Sequence, residues 1–368
     1  MLGVSRRGPG EEDLAASFLQ SDFWGEFKAG YGWMPIRLEL ETGEGTADPK
    51  GTSLPLLILV RRLGAGFSFA YAPLGPGLEL AASSRAAFLA ELSERIEAFL
   101  PKGCLFIRYD PPWYELEPIA TAEEGIGGAG IERPVVGSPL RRAAVDVQPP
   151  DTVFVDLRQD EADILAAMKA KWRYNIRLAE KKGVLVEEAG IESIAEFHEL
   201  NRATAARDRI ALRPESYYSR LFALAAERKA SGAAGAPDIR LWIARYEGQA
   251  LAAIITLFRG EEAVYLYGAS SDEKRNLMPT YALQWTAMRA AKASGCLRYD
   301  LYGIPPLDDP EHPMGGLYRF KTGFGGAIAR YAGSWDYPLR TMPYALFRAA
   351  ERARAWWYKD FKKRLKKK

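Results

Sequence analysis

Four cations, Lys169, Arg173, Arg177 and Lys181, recur at i, i+4, i+8 and i+12 in a stretch that reads as one helix over Asp163–Lys182. Like charges four apart destabilise a helix by about 0.2–0.5 kcal/mol per pair. A stripe kept against that cost suits a polyanion such as the acceptor stem of a tRNA. The plain alternative is a solvated face neutralised by Glu180 and nearby acids. A second stretch to weigh is Gly268–Asn276, polar turn material that leads to Pro279 at the first turn of an amphipathic helix. Bare N–H groups and the helix dipole favour anions there. The sequence offers little else that is reactive. Two histidines, His198 and His312, make a His-based triad or metal site improbable. Cys104 and Cys296 show no ligand spacing and read as core residues in a reducing compartment. No metal is expected.

Elements must hold these residues. The chain has 368 residues, enough for two domains with ordinary cores. Glu261 to Pro306 reads as strand, turn, helix, strand. Val264–Tyr267 is rich in β-formers, and Pro279 suits a first helical turn. Tyr281, Trp285, Met288 and Lys292 follow at i, i+4, i+7 and i+11. Gly295 stops the helix, and Cys296–Tyr302 is a second strand. An echo lies earlier: GCLFIRYDPP at 103–112 parallels GCLRYDLYGIPP at 295–306. Both follow a helix, the first at Ser84–Leu100, and both carry an aromatic–Asp pair. The repeat predicts an α/β (α+β) fold of two related lobes, each a mixed sheet flanked by helices. Residues 1–150 form the first lobe, completed by about 327–350; residues 151–326 form the second.

Residues 1–12 read as lying outside the fold, and Asp13–Lys28 as a helix. The last eighteen residues, ERARAWWYKDFKKRLKKK, hold nine basic and two acidic side chains. That tail, 351–368, is either a solvated helix end or a surface drawn to anionic lipid or RNA. The N-terminal MLGVSRRGPGEEDL lacks an apolar h-region, and the longest apolar runs are too short to span a bilayer, so a cytoplasmic protein is expected.

Three motifs carry a resemblance: KWRYNIRLAEKKGV at Lys171–Val184, YLYGASS…RNLMPTYALQWTAMRAAKASGCLRYDLYGIP at 265–305, and GLYRFKTGFGG at Gly316–Gly326. In this order and spacing they resemble the FemABX family of peptidoglycan bridge-forming aminoacyltransferases. The resemblance covers nearly the whole chain and implies twin GNAT-like lobes. GNAT acyltransferases cradle the coenzyme A pyrophosphate with a Gln/Arg-x-x-Gly-x-Gly/Ala turn. Here the turn is Arg275-x-x-Met278-x-Thr280; both glycines are missing, and Pro279 removes an N–H. The same acyl chemistry with another acyl carrier is expected.

By the same resemblance, LQSDFWGEFKAGYGW places Lys28 at a phosphate of the cell-wall precursor; otherwise it is a surface lysine at a helix end. RFKTGFGG places Phe320 beside the terminal tRNA nucleotides and Lys321 at the ester. Arg213 and Tyr217, on one face if helical, would join Lys28 on the diphosphate and sugar side. Asp110 and Tyr265 or Tyr267 would line the acceptor-peptide channel. Asp110 is either the proton acceptor or a cap on the Pro111–Pro112 turn. The two tyrosines are expected on opposite strand faces, so that only one lines the site. Transfer from an activated ester to an amine needs mainly alignment and an oxyanion partner. The implied activity moves an amino acid from aminoacyl-tRNA, as co-substrate, to the stem peptide of lipid II or a UDP-MurNAc-peptide, with no further cofactor. A monomer, peripheral at the inner face of the cell membrane, is expected. The rivals are a GNAT-like N-acyltransferase using acyl-CoA and a non-catalytic RNA- or membrane-surface-binding protein.

Overall fold

The structure, a computed structural model, describes residues 2–8, 15–43, 53–119, 133–208, 210–309 and 314–357. The chain divides into two compact units. One takes the chain up to Glu115, Glu132–Pro150 and everything from Tyr331 onward; the other takes Leu116–Ile131 and Asp151–Arg330.

In the first unit, β1 (Gly3–Arg6) is a sheet edge and Leu2 is buried, so the first residues are not outside the fold as expected. The helix expected from Asp13 is shorter. A 3-10 turn at Phe18–Gln20 precedes α1 (Asp22–Ala29), which starts where Ser21 Oγ accepts the Trp24 N–H at 3.2 Å. Strands β2 (Trp33–Glu41), β3 (Ser53–Gly64) and β4 (Phe67–Ala72) follow as an antiparallel meander, with β1 on β2. In β3 the run Pro55–Val60 is buried throughout, as suits a strand covered on both faces. Gln20, 3% exposed, is tied to that run by bonds to the Leu57 N–H and carbonyl. Helix α2 (Ala82–Ile96) then crosses to β5 (Cys104–Tyr109), parallel to β4.

The chain passes through β6 (Tyr114–Pro118) and β7 (Arg141–Arg142) into β8 (Asp151–Asp156) of the second unit. The helix expected over Asp163–Lys182 is two, α3 (Glu161–Ala167) and α4 (Ala170–Lys181). Met168 and Lys169 are extended at the break, and the Lys169 N–H turns to the Gly323 carbonyl at 3.0 Å. Next come β9 (Leu185–Ala189), α5 (Ile194–Asp208), α6 (Glu215–Ala230) and the hairpin β10 (Asp238–Tyr246) with β11 (Gln249–Arg259). Strand β12 (Glu262–Ser270), α7 (Pro279–Ala293) and β13 (Arg298–Asp300) form a second crossover between parallel strands. That is the echo in three dimensions: β4–α2–β5 in one unit, β12–α7–β13 in the other. Helix α8 (Gly315–Thr322) and β14 (Ala327–Tyr331) finish the second unit. The chain then returns to the first with β15 (Trp335–Pro338) and α9 (Thr341–Trp356). Among the described residues the sheets run β1-β2-β3-β4-β5-β15-β7 and β6-β14-β8-β13-β12-β11-β10-β9. Of the basic tail, residues up to Trp357 are described, and Thr341–Trp356 is helical; 358–368 lie outside the described residues.

Candidate active site

Lys321 sits on α8 and is 5% exposed. Its Nζ donates to the carbonyls of Tyr302 and Gly303, each at 3.0 Å, and lies 5.1 Å from the centre of the Tyr265 ring. Burial pulls its pKa down to about 7, and the Asp300 charge opposes that shift. The turn that supplies the two carbonyls is itself held. Asp300, at the end of β13, accepts the Tyr302 N–H at 2.7 Å and the Thr152 hydroxyl. Tyr302 has φ +59°, a left-handed conformation uncommon for a side chain of that size. Burial, then the Glu262 charge, holds the Asp300 carboxyl well above the usual carboxylate range. Asp300 is the echo of Asp110, and the repeated aromatic–Asp pair was the signal that could have singled it out.

Beside Lys321, Phe320 joins an aromatic cluster. Its ring is 5.3 Å from Tyr281 and 5.1 Å from Phe324, edge to face. Trp172 of α4 packs edge to face on Tyr281 at 5.5 Å and donates its indole N–H to the Phe320 carbonyl at 2.9 Å. A Cβ on Gly323 would sit 2.1 Å from the Trp172 ring, so only glycine lets α4 lie this close to the end of α8.

Tyr265 and Tyr267 do face opposite ways, but not for the reason of strand periodicity. Residues two apart on an unbroken strand share a face. Here the β11–β12 register slips between Ile255 and Thr256: Tyr265 pairs with Thr256 and Tyr267 with Ile255, leaving Leu266 as a bulge. Tyr265 joins Lys321. Tyr267 instead reaches Tyr217, hydroxyl to hydroxyl at 3.1 Å, and packs on the Tyr218 ring. Arg213 is exposed and precedes α6 rather than lying in it, yet its guanidinium stacks 5.3 Å over the Tyr217 ring. The structure thus groups Arg213, Tyr217 and Tyr267 in one cluster, and Phe320, Lys321 and Tyr265 in another.

A model of the FemAB family matches residues 135–229 and 242–352, more than half of the chain. The chain belongs to the FemAB family. Its relatives include the lipid II:glycine glycyltransferase of Staphylococcus aureus strain USA300, 24% identical over an alignment covering 89% of each chain. The enzyme of the same name in strain COL is 25% identical over 54% of this chain and 61% of that one. The crystal structure of FemX superposes with a TM-score of 0.73 at 19% identity, over 94% of this chain and all of that one, which fixes the fold as that of FemX.

In this FemAB chain the other expected residues are placed as follows. Lys28 closes α1 and lies over the rings of Trp24 and Trp33, at 5.2 and 6.0 Å. Asp110 is 4% exposed and accepts the hydroxyls of Tyr71 and Ser334 and the Gln148 N–H at 3.3 Å. Burial pushes its pKa up to about 6 despite those bonds. The cationic stripe is not one helix face. Lys169 precedes α4, and Arg173 folds back on the carbonyls of Ala166 and Met168 at the end of α3. Arg177 and Lys181 remain exposed on α4.

Proposed function

We propose that this chain is an aminoacyltransferase that moves an amino acid from aminoacyl-tRNA to the stem peptide of a peptidoglycan precursor, lipid II or its nucleotide-linked counterpart. The observation that carries the reading is Lys321, buried, pinned by two carbonyls and flanked by aromatic rings, in a chain of this family. An ammonium has three N–H bonds. Two go to the Tyr302 and Gly303 carbonyls. The third would donate to the ester oxygen as the amine attacks and negative charge develops there. The tetrahedral intermediate then collapses, the ribose hydroxyl leaves with a proton, and an amide remains.

Phe320, in its aromatic cluster, offers a stacking face for the terminal nucleotides of the donor. Lys28, Arg213 and Tyr217 would hold phosphate and sugar of the precursor, with Tyr267 supporting Tyr217 and Tyr265 lining the acceptor peptide. Asp110 is the candidate proton acceptor, its raised pKa making it a stronger base than an ordinary carboxylate. Lys169, Arg177 and Lys181 are exposed and would form the RNA surface, with the half-buried Arg173 beside them. The protein would act as a cytoplasmic monomer, peripheral at the inner membrane face through its C-terminal tail; no helix among the described residues is long and apolar enough to cross a membrane.

The acyl-CoA alternative is disfavoured by the start of α7. Pro279 at its first position has no N–H, Met278 before it is left-handed, and the Tyr281 N–H is already bonded to the Met278 carbonyl at 3.1 Å. Purified protein with a bulk charged tRNA pool and precursor should yield aminoacylated precursor, read by mass spectrometry, and RNase should abolish it. Transfer that survives RNase and requires acetyl-CoA would overturn the proposal.

A further inference from the structure

Helix α9 has two unlike faces. The inner one is fixed to the first sheet. Tyr344 is fully buried, donates its hydroxyl to Asp336 at 3.1 Å and packs on Phe106. Phe347 packs on Phe69 and Phe106, and Glu351 accepts two hydrogen bonds from Arg108 at 2.8 and 3.0 Å. These contacts set the rotation of the helix. At 100° per residue, the opposite face carries Met342, Leu346, Ala349, Ala353 and Trp356. Met342 is 80% exposed and Leu346 73%; Trp356 and Trp357 follow at 57% and 48%. No charged residue interrupts that stripe, and the exposed Arg352 and Arg354 lie on its two flanks. The sequence beyond Trp357, YKDFKKRLKKK, adds seven basic side chains and one acidic.

An apolar stripe ending in tryptophan, edged by arginine and followed by a cationic run, matches one kind of surface. A bilayer with anionic headgroups takes apolar and aromatic groups at the headgroup–acyl boundary and cations at its phosphates. Another protein copy would gain the apolar contact but would meet the same positive flanks. We propose that α9 is an interfacial membrane helix: its Met342–Leu346–Ala349–Ala353–Trp356 face enters an anionic bilayer, with Arg352, Arg354 and the following lysines on the phosphates. This deepens the peripheral placement in the reading above by making apolar insertion, not charge alone, the holding contact. The inner-face contacts then present the bilayer with one fixed side of the first unit.

The test is co-sedimentation of the full chain with vesicles of phosphatidylcholine alone, or mixed with an equal part of phosphatidylglycerol, at low and high salt. The parent should bind the mixed vesicles, retain part of that binding at high salt, and show a blue shift of tryptophan emission. Met342→Asp with Leu346→Asp should weaken binding about tenfold or more. Both side chains are exposed, so the fold should survive; if the Asp pair melts early, the Ser pair carries the same test. Deleting 359–368 should remove the salt-sensitive part and leave the rest. Binding unchanged in the Asp or Ser pair, or absent in the parent, would overturn the proposal. So would a parent dimer that the substitutions dissolve, since the face would then belong to a second copy. Assaying the same variants on a soluble nucleotide-linked precursor separates the two ideas. If the parent binds vesicles but shows no transfer to that precursor, the aminoacyltransferase reading alone fails; if parent and variants all transfer while only the variants lose vesicle binding, both ideas stand.

Discussion

At the scale of the residue, the donor count of Lys321 fixes the sign of its pH dependence. As an amine it has two N–H bonds, both taken by the Tyr302 and Gly303 carbonyls; only the ammonium has a third. In the proposed role its pKa, pulled to about 7 by burial and held up by Asp300, should set a limb above which kcat falls. Asp300→Asn removes the opposing charge, so the limb should move to lower pH; a pH profile in which it stays put would exclude Asp300 from this role. Lys321→Met should lower kcat about a hundredfold or more, because one oxyanion donor is worth ~3 kcal/mol and acts mainly in the transition state. A variant with full kcat would remove Lys321 from the chemistry. Lys28→Ala and Arg213→Ala should each raise the precursor KM about tenfold to a hundredfold, with donor KM unchanged. If both leave precursor KM alone, neither holds a phosphate.

At the scale of the element, packing decides whether those side chains arrive. Gly323→Ala pushes a methyl into the Trp172 ring, and the end of α8 must move off α4. The expected cost is about 1–3 kcal/mol in denaturant unfolding, with transfer falling further than stability alone explains, since Phe320 and Lys321 sit on the displaced helix. Unchanged stability would mean that the two helices are less tightly coupled than the contact implies. The same contacts show what the sequence could and could not reveal. Helix α7 was legible from its apolar spacing and Pro279, and the crossover from the repeated strand–helix–strand pattern. The break between α3 and α4 was not, because a loop distant in sequence causes it by taking the Lys169 N–H. The edge strand β1 was hidden likewise, since its partner β2 begins only at Trp33. The facing of Tyr265 and Tyr267 came from a bulge at Leu266, a register feature that one strand's sequence does not encode.

At the scale of the whole molecule, the chain leaves the first unit for Leu116–Ile131, leaves it again after Pro150 to build most of the second, and returns at Tyr331 to place β15 between β5 and β7. Besides its pairing with β5, the returned segment carries a buried ion pair that must stay matched. Arg108 on β5 bonds Asp336 on β15 through two nitrogens, at 2.7 and 2.9 Å, and Glu351 on α9 through two more contacts. Asp336 is fully buried, and burial alone would hold its pKa high; Arg108 is the main opposing influence. Arg108→Leu therefore leaves a buried carboxylate without its cation, while Glu351, nearer the surface, can turn to water. The expected loss is about 3–5 kcal/mol. Its pH dependence follows from the sign of the shift. In the variant the Asp336 pKa lies above its unfolded value, so the folded state binds the extra proton and stability falls as pH rises through that raised pKa. The destabilisation should thus be smaller at acidic than at neutral pH. Adding Asp336→Leu should restore most of it, since a buried pair replaced by apolar groups is often neutral. The measurement is a thermal melt of each variant across pH. A single variant as stable as the parent at neutral pH, or a double variant no better than the single, would show that the Arg108–Asp336 pair does not hold the returned segment in place.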